Sequence, residues 1–332
     1  MVLLSSEDYE YVANLPYHMA SAGMVDDLRQ ILIDFDFVEF KISISGLQPL
    51  IEDYGLALQS EIQLDQQTKR SLQLIQSALQ LSAHVLARDH TQLAGQLWGR
   101  LQVEKTPEIQ YLLHQARQTT GGPWLCPLSA SLSPPGGPLL RVLDGHQAPV
   151  LSVAIISNVA EIFDRLLWLV PGSSDKILVS GSSDKTIKVW DIESGNQLFT
   201  LWGHQAPVLS VVVTPDGKRV ISGSSDKTLK VWDLQQTREL FTLQGHQSWI
   251  LSVAVTPDSR RAISGSFDKT LKVWDLEQGT ELFTLRGHQA GIWCVAITPD
   301  GKRAISGSED KTLKVWDLER ATGVRQHLAR EK

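Results

Sequence analysis

Two hydrophobic rhythms divide the chain. Near the N-terminus apolar residues recur every three or four positions. Val25, Leu28, Ile31, Leu32 and Phe35 share one helical face, as do Leu72, Ile75, Leu79 and Leu86, and again Leu93, Leu97, Trp98 and Leu101. Thr106-Pro107 opens a further helix with a capping hydroxyl and a first-turn proline, placing Ile109, Leu112, Leu113 and Ala116 on its apolar side. Pro16, Gly23, Gly46 and Gly55 punctuate the earlier part, so five to seven short helices are expected over residues 1–120. Residues 121–138 carry Gly121-Gly122-Pro123 and Ser133-Pro134-Pro135-Gly136-Gly137-Pro138, the composition of a stiff, irregular linker. Trp124 and Leu125 within it are placed to tack onto a neighbouring surface.

From residue 139 onward the rhythm shortens to two. In Thr228-Leu229-Lys230-Val231-Trp232, Leu229 and Val231 fall on one face and Lys230 on the other, which predicts a half-buried strand. Strands are expected at 208–213, 219–223, 228–232 and 239–243, separated by turn signals such as Pro215-Asp216-Gly217. This unit repeats. Gly-His pairs stand at His146, His204, His246 and His288, and Trp-Asp pairs at Trp190, Trp232, Trp274 and Trp316, the tryptophans 42 residues apart each time. The first repeat is 16 residues longer than the others. A lone four-stranded sheet of this size cannot bury both faces, whereas sheets stacked radially can, as in a propeller.

Gly-His, then Ser-Gly-Ser-x-Asp-Lys-Thr, then Trp-Asp at this period resembles the WD-repeat signature, from about Leu139 to Leu318. The fold class expected is therefore an all-α N-terminal helical domain followed by an all-β WD-repeat propeller segment of four blades, over residues 139–332 with an insertion at about 157–171.

Each repeat holds a His, a Ser, an Asp and a Trp in fixed phase: His146, Ser180, Asp184 and Trp190; His204, Ser222, Asp226 and Trp232; His246, Ser264, Asp268 and Trp274; His288, Ser306, Asp310 and Trp316. Ser, His and Asp together invite a hydrolase triad. A catalytic site, however, breaks symmetry, and these groups recur wherever a blade must be built. The WD-repeat resemblance implies a buried network in which the Asp orients the His, the His meets the Ser and the Ser satisfies the indole N–H.

Where near-identical repeats disagree, surface is a better explanation than scaffold. The third residue after the histidine is Pro149, Pro207, Trp249 or Gly291. Two positions on stand Leu151, Leu209, Leu251 and Trp293, and the residue before the turn Asp is Ser183, Ser225, Phe267 or Glu309. By the same resemblance these positions belong to a loop-rich contact rim. Trp249, Phe267, Trp293 and Glu309 are thus candidate partner-binding residues, large aromatics being favoured interface anchors. The competing reading has the aromatics filling gaps between blades.

The stretch from Tyr11 through Leu28, followed by Asp34-Phe35-Asp36-Phe37, resembles the helical domain preceding the propeller in STAND signalling ATPases, such as bacterial NB-ARC/WD-repeat proteins and apoptotic protease-activating factor. That resemblance implies a link between a nucleotide-driven switch and a ligand-sensing propeller. The sequence departs from it in one respect: no Gly-x-x-x-x-Gly-Lys-[Ser/Thr] occurs, so the ATPase module is absent from these residues.

Composition narrows the choice further. A net charge of −6 argues against a nucleic-acid partner. The two cysteines, Cys126 and Cys294, exclude a disulfide framework or a Cys-rich zinc site. An acidic start without a basic n-region, and apolar runs too short for a bilayer, point to a cytoplasmic protein with no membrane partner. No cofactor or metal is called for. The expected function is a non-catalytic scaffold binding other proteins; the alternative is a regulatory fragment of a STAND-type ATPase whose nucleotide module is elsewhere or lost. A propeller enzyme fits less well, because no Asp, Glu or His breaks repeat symmetry in the core-facing strands.

Four blades leave a closure problem. After Asp317 the usual fourth strand is missing, and residues 139–143 are the candidate to supply it, closing the ring and removing a bare edge. Two chains joining their arcs as a homodimer, or a remnant of a longer gene, are the other solutions. Residues 157–171 form a short amphipathic helix candidate, either a partner-binding helix or a recombination scar.

Overall fold

A computed structural model describes residues 11–12, 14–59, 62–119, 131–156 and 176–320. The chain divides into two compact units, Met1–Asp144 and Gly145–Lys332.

The first unit holds seven α-helices among its described residues: α1 Leu15–Ser21, α2 Val25–Leu32, α3 Phe35–Ser45, α4 Leu47–Ala57, α5 Gln66–Leu86, α6 Leu93–Leu101 and α7 Pro107–Thr119. Their ends follow from side chains. Asp34 and Asp65 cap α3 and α5 by accepting the Phe37 and Thr68 backbone N–H groups at 3.0 and 2.9 Å. Gln115 of α7 ties α3 down, accepting from Phe35 N and donating to the Asp34 carboxylate. Leu32, Leu50, Tyr54, Leu72, Ile75, Leu79, Leu93 and Leu113 belong to a single core. Three charged side chains of this unit are buried as well. Lys41 and Asp53 pair at 2.7 Å. Arg100 donates to Ser82 Oγ and to the carbonyls of Leu81 and Ser133. Part of the expected linker is therefore bound structure, since Ser133 and Leu132 lie against α6 at Arg100 and Gly99. Trp124 and Leu125 fall outside the described residues.

The second unit is built of antiparallel sheets in simple meander order. Blade 1 is β1 Val150–Ile156, β2 Ile177–Ser182, β3 Ile187–Asp191 and β4 Gln197–Leu201. Blade 2 is β5 Val208–Val213, β6 Arg219–Ser224, β7 Thr228–Asp233 and β8 Arg238–Gln244. Blade 3 is β9 Ile250–Val255, β10 Arg261–Ser266, β11 Thr270–Asp275 and β12 Thr280–Arg286. Blade 4 has three strands among the described residues, β13 Ile292–Ile297, β14 Arg303–Ser308 and β15 Leu313–Asp317.

The cores lie between blades, not within them. Val179, Ile187 and Val189 of blade 1 pack against Val208, Val211 and Trp232 of blade 2, and the arrangement recurs at the next two junctions. Strand β7 is accordingly buried on both faces, Lys230 included, and not half-buried as its alternation predicts. A sheet stacked between two others has no solvent face.

The expected fourth strand does not form. Residues 139–143 carry no strand, and β15 has no partner beyond β14 among the described residues. The insertion at 157–171 lies outside the described residues.

Candidate functional site

In every blade the His stands in the loop entering the first strand, the Ser within the second strand, the Asp in the turn after it and the Trp within the third. The sheet register pairs Ser222 with Lys230 and Val220 with Trp232, so the Ser and the indole meet across one sheet face. The geometry is the same four times. Each His Nδ1 lies 2.7–2.8 Å from its Asp carboxylate and each Nε2 lies 2.8 Å from its Ser Oγ. The indoles of Trp190, Trp232, Trp274 and Trp316 each donate to that Oγ at 2.8 Å. With Nδ1–H donating to Asp, Nε2 is left to accept from the Ser hydroxyl, whose oxygen accepts from Trp.

The turn Asp does more than hold the His. Asp226 also accepts from the Gln205 and Thr228 backbone N–H groups and from the Thr228 hydroxyl. Burial alone would raise its pKa, but the hydrogen bonds from His204 and Thr228 outweigh burial and hold the carboxyl well below the usual carboxylate range. Asp184, Asp268 and Asp310 are lowered in the same way; at Asp310 the largest cause is the Thr312 hydroxyl. The turn is tight enough to put Lys185, Lys227, Lys269 and Lys311 at φ near +70°.

As a set of atoms this is the Asp-His-Ser order of a hydrolase triad. Its surroundings differ. Ser222, Ser264 and Ser306 are wholly enclosed, with the indole N–H on the same oxygen in each case. A nucleophilic oxygen needs an approach for a substrate carbonyl, and the enclosure leaves these three none.

The rim residues are placed as follows. Trp249 and Phe267 come together with ring centroids 6.1 Å apart, and their backbones bond through Phe267 N and Trp249 O at 2.9 Å. Phe267 also covers the neighbouring blade, since a Cβ on Gly291 would lie 2.7 Å from its ring. Both rings remain about half exposed, at 52 % and 44 %. Glu309 bonds Gly291 through the equivalent backbone contact in blade 4. Trp293 is exposed two residues further along in β13, and its ring makes no ring contact with the other two among the described residues. The structure thus joins two of the three aromatics within blade 3, Trp249 from the loop entering its first strand and Phe267 from the turn after its second.

Two further series escape a motif search. Lys188, Lys230 and Lys272 run nearly buried to Gln197, Glu239 and Glu281 and to a threonine on the fourth strand of their own blades. Between blades, Ser152, Ser210 and Ser252 accept the backbone N–H of Val211, Val253 and Val295 at 3.0–3.1 Å. In blade 4 the same position is Cys294, an exposed thiol. The signal for this series is the repeat register itself.

No group of His, Cys, Asp and Glu suited to a metal ion occurs among the described residues. No helix among them is long and apolar enough to cross a membrane.

Comparison with known proteins matches residues 137–191, 195–233, 237–275 and 279–317 to the family described as WD domain, G-beta repeat. The chain belongs to the WD-repeat family. Residues 2–115 match the APAF-1 helical domain. The WD-repeat chain is 27 % identical over 222 residues to human NACHT domain- and WD repeat-containing protein 1, a match covering 61 % of this chain and 12 % of that protein. It is 37 % identical over 71 residues to nuclear distribution protein PAC1-2 of Postia placenta, covering 21 % and 16 %. It is also 38 % identical over 80 residues to ribosome assembly protein 4 of Chaetomium thermophilum, covering 24 % and 13 %. These matches span only a small part of each relative.

Proposed function

We propose that the chain is a non-catalytic scaffold that binds other proteins through the Gly-His end of its last two blades. The observation that carries this reading is the Trp249–Phe267 pair, two large rings in contact yet half exposed, at positions where blades 1 and 2 have Pro149 with Ser183 and Pro207 with Ser225. Aromatic anchors of this kind account for much of the energy in protein interfaces. Trp293 and Glu309 extend the surface, the acid setting charge preference at its edge. The four Asp-His-Ser-Trp sets support the non-catalytic reading, because each bonds its members to one another and three of the four serines are wholly enclosed.

A second reading has one observation in its favour. The match to the APAF-1 helical domain, beside a relative whose name joins a NACHT domain to WD repeats, fits a regulatory part of a STAND-type ATPase with the nucleotide module elsewhere. In that case the rim is the sensing surface, and its aromatics keep the same role.

The test is substitution at the rim. Trp249→Ala and Trp293→Ala are expected to lose a protein partner isolated from the source cells while the melting temperature stays unchanged. A fall in melting temperature with binding intact would make the rings packing groups instead.

A further inference from the structure

The exposed aromatic side chains of the WD unit gather at one end. Among its described residues they are Trp202, Trp249, Phe267 and Trp293, and all stand at the Gly-His end. Trp202 is the most open of them, at 71 %. It lies just after β4 and two residues before His204, where the next two repeats have Gln244 and Arg286.

The same end is cationic. Lys185, Lys227, Lys269 and Lys311 follow the turn aspartates, are exposed, and sit at φ near +70°. That backbone conformation favours Gly or Asn, so the turn itself supplies no reason for lysine. The blade interior supplies none either. Unlike the His, Ser, Asp and Trp of each set, these four side chains form no hydrogen bond or ion pair among the described residues. Arg286 adds an exposed cation beside Gly287-His288. Against these, the exposed carboxylate at this end among the described residues is Glu309. The turn aspartates are drawn inward onto their His and Thr donors. The opposite end differs. Its turns expose Glu193, Asp216, Asp258, Glu277 and Asp300, and its cations Arg260 and Lys302 pair with Glu277 and Glu319. Ring and charge are also neighbours at the Gly-His end, since Phe267 and Lys269 flank Asp268 in one turn.

We infer that the Gly-His end takes an acidic protein segment bearing apolar side chains, its carboxylates meeting the four turn lysines and Arg286 and its apolar groups meeting the aromatic rings. The inference rests on the reading of this end as a protein-binding surface and adds the chemistry of the partner. Unpaired cations around desolvating rings choose a partner by complementary charge and anchor it by apolar contact. A long polyanion fits less well. Glu309 interrupts the cations two residues from Lys311, and a net charge of −6 opposes the approach of nucleic acid.

The experiment is binding of the full chain to three arrays of short synthetic peptides. All carry Leu and Phe, with Asp and Glu in the first array, Lys and Arg in the second and Ser in the third. Capture by the first array alone is expected, weakening as salt is raised to about 0.5 M. A variant combining Lys185→Gln, Lys227→Gln, Lys269→Gln and Lys311→Gln is expected to bind the acidic peptides about ten-fold more weakly, with an unchanged circular dichroism spectrum. Lys218→Gln with Arg238→Gln, at the opposite end, is expected to leave binding as it was. Peptides held whatever their charge, and lost in Trp249→Ala but not in the lysine variant, would overturn the inference while leaving the rim a protein surface. Capture by no array would overturn it too, and the rim is then decided separately by whether Trp249→Ala loses the partner from the source cells. Tighter binding of single-stranded DNA or of phosphatidylserine vesicles than of the acidic peptides would also overturn it.

Discussion

At the scale of single residues, four copies of one hydrogen-bond set decide how much of this molecule is architecture. His246 joins Asp268 at 2.7 Å and Ser264 at 2.8 Å, both inside the blade. Removing the imidazole leaves an enclosed hydroxyl and a carboxylate short of a donor, each orphaned group costing about 1–3 kcal/mol. His246→Ala is expected to lower the melting temperature of the WD unit, as read by calorimetry. Survival of full stability would show the network to be dispensable. The turn aspartates give a pH dependence with a definite sign. Their carboxyls are lowered on folding, so their stabilisation is complete above the unfolded aspartate value of about 3.9 and lost as pH falls below it. The WD unit is expected to keep its denaturation midpoint between neutral pH and about 5, then lose it steeply below about 4. A flat midpoint down to pH 3 would contradict this. The sequence shows the members of these sets because they recur in phase. It hides the buried lysines, since Lys230 in a strand looks like a solvent-facing residue until Glu239 and Thr242 are seen to close around it.

At the scale of elements, strand boundaries follow the hydrophobic alternation to within about a residue in blade 2, because each turn carries its own Pro, Asp or Gly signal. What alternation does not reveal is what covers each face. Stacking supplies that, and glycine sets its closeness. Gly223→Val is expected to destabilise the junction between blades 2 and 3 by about 1–3 kcal/mol, as overpacking does, because Ile250 and Val253 already fill the space. Denaturant unfolding checks it; an unchanged midpoint would mean the notch has slack. The helical elements were legible for a related reason: α5 and α7 present one apolar side each, and Asp65 and Pro107 mark where they begin. The reading of residues 139–143 as this chain's own closing strand failed at this scale. A strand requires a partner edge, and sequence does not say which edge lies within reach.

At the scale of the whole molecule, the repeat arithmetic gives four blades, and the exposure of the end strands shows that four do not cover their own ends. The rim aromatics were found as departures from repeat symmetry, and the structure sharpens them to a Trp249–Phe267 pair with Trp293 apart from it. Their separation was invisible in the sequence, because the distance between rim positions depends on how neighbouring blades are turned against each other. The most direct measurement for a binding rim is site-specific photo-cross-linking in the source cells. A cross-linking residue replaces Phe267, and in a second variant it replaces Ser259, in a turn at the opposite end of the same blade. A protein cross-linked from position 267 and absent from position 259 is the predicted result; equal labelling from both, or labelling from 259 alone, would contradict it.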